Sequence, residues 1–311
     1  MTAAFTFPGQ GSQAVGMGKE LAGTFSQAKS VFEEVDDALG QKLSTIMWEG
    51  PDDAITLTEN AQPALLAVSL AVTRVLQAEK GLDLATHAKF VAGHSLGEYS
   101  ALAAAGVFSL ADAARLLKTR GQAMQQAVPV GEGAMAALLG LEFGDADAVA
   151  KEAAGDEVCE AANDNAPGQV VVSGSKAAVE RAVELAKEKG ARRAMLLPVS
   201  APFHCALMKP AADVMADALA SVQMNAPAVP VMANVSASPL SDPDAIRDSL
   251  VKQVTGMVRW RECVGAMGDA GVTQLYELGS GKVLSGLAKR INRDLAATAI
   301  GTPADIDAVT F

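Results

Sequence analysis

A chain of 311 residues that is 50% hydrophobic and 20% charged has enough apolar material for a large core spread over about two domains, which argues against disorder. Its net charge of −11 excludes nucleic acid and anionic membrane surfaces as general partners. The longest apolar run, residues 64–72, is too short to span a bilayer, and no charged segment followed by an apolar one marks a secretory leader near the start.

In chain order, a strand is expected over residues 3–7, then a turn at Pro8-Gly9-Gln10-Gly11-Ser12-Gln13. Helical patterns follow at 26–39 and 63–77, with Pro63 suited to a first helical turn. A short apolar strand at Phe90-Val91-Ala92 runs into Gly93-His94-Ser95-Leu96-Gly97, and a helix takes over from Glu98 to Ala105. Ser109-Leu110-Ala111-Asp112 reads as a capping box that starts a helix reaching about residue 127. Strands alternating with helices imply a mainly parallel sheet covered on both faces.

The middle of the chain reads differently. Strands at 135–141, 158–162, 169–173 and 193–199 and helices at 146–154 and 177–189 give the order β-α-β-β-α-β, with residues 163–168 as a turn between the central strands. That order is the ferredoxin-like arrangement. Alternation then resumes, with helices near 208–220, 244–254, 261–270 and 283–291 and strands at 230–233 and 273–278. The expected fold class is α/β: a larger α/β-hydrolase-like domain with a mainly parallel sheet, residues 1–130 and 199–311, carrying an inserted ferredoxin-like β-α-β-β-α-β subdomain at 131–198.

The chemistry starts at Ser95. A serine on a sharp strand-to-helix turn projects its hydroxyl from the end of a sheet, its flanking glycines permit the turn, and the following helix aims N–H groups at the same point. Such a hydroxyl needs a general base, and the chain has three histidines. His94 is adjacent to Ser95 and points elsewhere, and His87 lies at the far end of the same strand, about 20 Å away at roughly 3.3 Å per residue. His204, in Ala201-Pro202-Phe203-His204-Cys205 where the chain returns from the inserted segment, is the remaining base. No motif marks an orienting acid; a backbone carbonyl or an amide such as Gln253 is left to hold the imidazole.

Arg120 shares a helical stripe with Ala113, Leu116, Leu117 and Met124. A guanidinium on a buried stripe needs an anionic partner, either an internal Asp or Glu or the carboxylate of a substrate. The three cysteines, Cys159, Cys205 and Cys263, are odd in number and far apart; they read as reduced thiols of a cytosolic protein, with no disulfide framework and no metal site.

Together, the segments from Phe7 to Gln13, Gly93 to Ala101, Arg120-Gly121, Ser200 to His204 and Gly279 to Leu284 resemble, in order and over essentially the whole chain, the malonyl-CoA:acyl carrier protein transacylases. The resemblance implies Ser95 as the acyl-accepting nucleophile, His204 as its base, Gln10 and the backbone N–H of Leu96 as the oxyanion hole, and Arg120 as the clamp for the malonyl carboxylate. It places Gln253 beside the histidine and Asn163 near the cleft. Phe203 resembles the residue of malonyl-selective members, where a large ring leaves little room for an α-methyl group. Ser280 departs from the proline common at that position.

The implied reaction moves a malonyl group from malonyl-CoA to the phosphopantetheine thiol of acyl carrier protein through a malonyl-serine, in the service of fatty-acid synthesis. The expected enzyme is cytoplasmic and monomeric, takes no cofactor or metal, and binds neither nucleic acid nor membrane. A polyketide acyltransferase and a serine esterase or thioesterase share the elbow. A dinucleotide fingerprint at residues 9–14, with Glu33 and Glu34 about 20 residues on, leaves the elbow unexplained. A non-catalytic docking module would not need both Ser95 and His204. Because carrier proteins are acidic, docking requires a local basic patch: Lys187, Lys189, Arg192 and Arg193 form one candidate, and Lys282, Lys289, Arg290 and Arg293 another.

Overall fold

The computed structural model describes residues 2–311. Ten strands are named here: β1 (Ala3–Phe7), β2 (Ala88–Gly93), β3 (Gly133–Leu139), β4 (Cys159–Ala166), β5 (Gln169–Ser175), β6 (Arg193–Leu196), β7 (Val231–Met232), β8 (Pro239–Leu240), β9 (Gln274–Leu278) and β10 (Ala296–Ile300). They form two sheets. The larger has the order β10-β9-β1-β2-β7-β8, parallel except for the terminal β7–β8 pair.

Burial explains why β1 reads as an unbroken apolar run. Every residue of β1 is buried, because helices cover both faces of the sheet. Alternate side chains enter different layers: Phe5, Phe7 and Val91 join one core, while Ala4, Phe90 and Ala92 join the other. The register pairs Phe7 with Gly93, so the loop after β1 and the elbow after β2 emerge side by side at the carboxyl end of the sheet. In an open α/β sheet that edge is where ligands bind.

The helix over residues 58–80, Thr58–Lys80, is longer than its sequence pattern suggests, and Pro63 lies inside it rather than in its first turn. The polar residues at its start, Thr58, Asn60 and Gln62, are buried, which hid the helix start from an apolar count. This helix is long and apolar enough to cross a membrane by length and composition, but 83% of its apolar window is buried inside the protein.

The second sheet is antiparallel with the order β4-β5-β3-β6 and the chain order β-α-β-β-α-β. Leu138, Val149, Val170, Val172 and Val179 give it an apolar cluster of its own, separate from the two that flank the large sheet. One expected feature is wrong: residues 163–166 belong to β4 and not to a turn. Two register shifts, at Ala161/Asn163 and Asp164/Ala166, explain the polar sequence. Such irregularities re-aim side chains, and here they turn Asn163 into the cleft while Asp164 pairs with Arg261 at 2.7 Å. The sequence pattern also missed β10, β8 and five short helices, among them Asp52–Thr56 beside the cleft and Pro303–Ala308 at the end of the chain.

Candidate active site

Ser95 sits at the crest of a strained turn with φ of 53°. A non-glycine residue adopts this conformation at a cost, and such strain persists only where the surroundings enforce it. The enforcement is visible. A Cβ on Gly93 would lie 1.9 Å from the Gly97 carbonyl carbon, and one on Gly97 would lie 2.2 Å from the Phe7 carbonyl oxygen. Asn234 ties the turn from below: its Oδ1 accepts from the Ser95 N–H at 2.8 Å and its Nδ2 donates to the Gly93 carbonyl at 2.7 Å. Asn234 lies two residues past the end of β7, and its place near a strand end was the only sequence signal for it.

The Ser95 hydroxyl meets His204 Nε2 at 2.7 Å. His204 itself has φ of 59° and is 4% exposed. Its Nδ1 lies 2.9 Å from the Gln253 carbonyl oxygen and 3.1 Å from that of Gly256. Two carbonyl acceptors assign the proton to Nδ1, so Nε2 is the free acceptor for the serine proton. Of the two ways left open for holding the imidazole, the backbone carbonyl of Gln253 does so and its side-chain amide does not. Burial, and then the Arg120 charge, push the imidazole down to about 3. The ring is therefore neutral at working pH and available as a proton acceptor.

Arg120 is 1% exposed and forms no ion pair among the described residues. Its Nη1 donates to Gln62 Oε1 at 2.8 Å, and its Nη2 donates to Gln253 Oε1 at 2.8 Å and to Ser95 Oγ at 3.1 Å. Its guanidinium carbon lies 5.7 Å from the centre of the Tyr99 ring. Neutral amides and a ring face replace the internal carboxylate that one reading of the sequence required. Burial lowers the affinity of the guanidinium for its proton, and the Nε–H has no partner. An unneutralised buried cation is costly, so an anion that enters the cleft is strongly favoured there.

Ser95, His204, Arg120, Gln10, Leu96, Asn163 and Phe203 all line one cleft of about 730 Å³. The backbone N–H groups of Gln10 and Leu96 donate to no other group among the described residues, while the Gln10 side chain is held by the Thr58 hydroxyl at 3.1 Å. Gln253 lies just behind the cleft, fully buried. His94 is occupied elsewhere, with Nε2 2.8 Å from Asn165 Oδ1. His87 closes the short helix Leu84–His87 before β2, rather than opening the strand, and rests against Asp83 and Phe311. Burial pushes the Cys205 thiol up to about 11, which removes it as a nucleophile beside His204. Ser280, the departure from the motif, donates to the Ser12 carbonyl at 2.7 Å and so ties the two loops at the sheet's carboxyl edge. No group of three or more His, Cys, Asp or Glu side chains placed to hold a metal occurs among the described residues.

A serine elbow, a neutral histidine and an open pair of amides define the class: residues 4–275 match the acyl transferase domain family. The malonyl CoA-acyl carrier protein transacylase of Escherichia coli K12 is 49% identical over 300 residues, which cover 96% of each chain. The solved acyl-carrier-protein-S-malonyltransferase of Bartonella henselae superposes with a TM-score of 0.97 at 60% identity, covering 99% of this chain and 98% of that one. A malonyl-transacylase solved in complex with a type II PKS acyl-carrier protein superposes at 0.95 with 45% identity, covering 99% of this chain and 98% of that one. The chain belongs to the malonyl CoA-acyl carrier protein transacylase family.

Proposed function

We propose that the protein transfers a malonyl group from malonyl-CoA to the phosphopantetheine thiol of acyl carrier protein and supplies fatty-acid synthesis. The observation that carries this reading is Arg120: a buried guanidinium without a counter-ion, 3.1 Å from the serine hydroxyl. A malonyl thioester carries its free carboxylate one methylene away from the thioester carbon, so an acyl group attacked by Ser95 keeps that carboxylate within reach of the neighbouring guanidinium.

In the reaction, Ser95 Oγ attacks the thioester carbonyl and its proton passes to His204 Nε2. The tetrahedral oxyanion is held by the N–H groups of Gln10 and Leu96. Collapse breaks the carbon–sulfur bond, and the CoA thiolate takes the proton from His204. The carrier thiol then attacks the malonyl-serine ester, His204 removes the thiol proton, and the serine leaves with that proton restored. Gln253 orients His204 through its carbonyl oxygen, and Asn163 and Phe203 shape the acyl end of the cleft. No cofactor enters these steps.

The same reading assigns residues 1–130 and 199–311 to an α/β-hydrolase-like catalytic domain and 131–198 to an inserted ferredoxin-like subdomain, supported by the separate sheet and its own apolar cluster. We assign the enzyme to the cytoplasm as a monomer. The test is intact-mass measurement after mixing with malonyl-CoA. A malonyl adduct on the wild type, missing from Ser95→Ala and cleared by phosphopantetheinylated carrier protein but not by water, is expected. Rapid clearance by water would make the protein a thioesterase.

A further inference from the structure

Glu98 is the carboxyl that the reaction above leaves without a role. It is the second residue of the helix Gly97–Ala104 that opens at the elbow, and it is 2% exposed. Burying a carboxyl there costs stability unless its oxygens are used. One of them is: Oε2 accepts from Gln253 Nε2 at 2.7 Å and from the Asn234 N–H at 3.3 Å. The same Gln253 nitrogen donates to the Ser95 carbonyl at 2.9 Å, while Gln253 Oε1 receives Arg120 Nη2 at 2.8 Å.

An amide has one donating and one accepting end, and its surroundings decide which way it lies. Two acceptors, Glu98 and the Ser95 carbonyl, hold the NH₂ end of Gln253, so its oxygen faces the guanidinium. Reversed, the amide would aim its NH₂ at Arg120 and set donor against donor. We infer that Glu98 is a positioning residue for malonyl recognition: it fixes the orientation of the Gln253 amide, and that amide aims Arg120 into the cleft. The inference rests on the reading of Arg120 as the carboxylate clamp.

The variants are Glu98→Met, which fills the space without an acceptor, and Glu98→Gln, which keeps an oxygen for the same two donors. Each is assayed for kcat and KM with malonyl-CoA and with acetyl-CoA. The Ser95–His204 pair is checked by labelling with phenylmethanesulfonyl fluoride, which carries no carboxylate. Glu98→Met is expected to raise KM for malonyl-CoA about tenfold and to lower the malonyl-to-acetyl ratio of kcat/KM by a similar factor, with labelling within twofold of wild type. Glu98→Gln is expected to restore most of both.

A merely structural role would depress both substrates and the labelling in parallel, and that result overturns the inference. So does a Glu98→Met enzyme with unchanged KM and selectivity. If the methionine variant does not fold, Glu98→Asp withdraws the oxygen by one methylene and must show the same split; an unchanged ratio there overturns it equally. Arg120→Ala is run beside them. If Arg120→Ala shifts the ratio and the Glu98 variants do not, only the inference falls. If Arg120→Ala leaves the ratio alone, the clamp reading falls and the inference with it.

Discussion

Replacing Arg120 by alanine separates recognition from chemistry. In the proposed clamp role, the guanidinium exchanges its contact to Ser95 for the carboxylate of bound malonyl. Hydrogen bonds between charged groups contribute about 1.5–3 kcal/mol each, so a two-pronged contact in this buried setting represents about 3–6 kcal/mol. At about 1.4 kcal/mol per factor of ten, kcat/KM for malonyl-CoA should fall by roughly 10²- to 10⁴-fold. For acetyl-CoA the sign reverses. An acetyl group leaves the buried cation unpaired in the wild type, and the charge also depresses His204. Removing it lifts both handicaps, so acetyl transfer should rise while malonyl transfer collapses. The assay is single-turnover acylation of Ser95 by each thioester, followed by transfer to carrier protein. A malonyl-to-acetyl ratio within threefold of wild type would refute the reasoning, because it would mean that the guanidinium is structural.

Three further outcomes follow from the geometry. Gly97→Ala should abolish labelling of Ser95 and lower stability by several kcal/mol in urea unfolding, because its Cβ meets the Phe7 carbonyl oxygen at 2.2 Å; near-normal activity would contradict the packing described for the elbow. Opposed shifts of buried groups shape acid stability. His204, lowered from 6.5 to about 3, leaves the native state with fewer protons than the unfolded chain between those values, so it adds stability as pH rises through that window. Glu98, raised from 4.5 to about 7, does the opposite between about 4.5 and 7. His94, buried and likewise lowered, adds to the rise below 6.5. Stability should therefore climb from pH 3 towards 6.5, less steeply above about 4.5 where Glu98 opposes the histidines, and decline slightly between about 6.5 and 7, and Glu98→Gln should steepen the upper part of the rise; an identical profile for that variant would refute the assignment. Finally, Lys187 and Lys189 are paired with Glu184 and Glu152, whereas Lys282, Lys289, Arg290 and Arg293 form no ion pair among the described residues. Charge reversal of the second cluster should raise KM for carrier protein at low salt more than reversal of the first, and equal effects would count against selective docking there.

The elbow was legible because it is local. Gly93, Ser95 and Gly97 must be close in sequence to make the turn, so the chain itself displays them. His204 was found by elimination, which works only in a chain with three histidines. Its partner was readable only as a choice between a backbone carbonyl and an amide such as Gln253, because a backbone carbonyl has no side-chain signature; Gln253 contributes its carbonyl to His204 and its amide to Arg120. Asn234 and the use of Glu98 are tertiary choices: Asn234 meets the elbow, and the Glu98 carboxyl meets Gln253 and Asn234, only after distant segments pack together, and each looks like an ordinary polar residue in the sequence. The helix starting at Thr58 was placed too late because its buried first turn is polar, and the strand β4 was cut short because its irregularities are polar as well. In both places side chains turned toward the cleft interrupt the apolar period on which the reading depends.

The absence of an acid behind His204 has a consequence for substrate choice. An aspartate holding Nδ1 would bring a full negative charge to the wall of a cleft whose cation awaits a carboxylate. It would compete with the substrate as the counter-ion of Arg120 and repel the tail of every malonyl group that entered. Two peptide carbonyls orient the ring with partial charges only, and Glu98 is kept apart from the guanidinium by the Gln253 amide. A hydrolase acting on neutral esters is free to use a triad acid; an enzyme that admits a dianionic transition state is better served by dipoles.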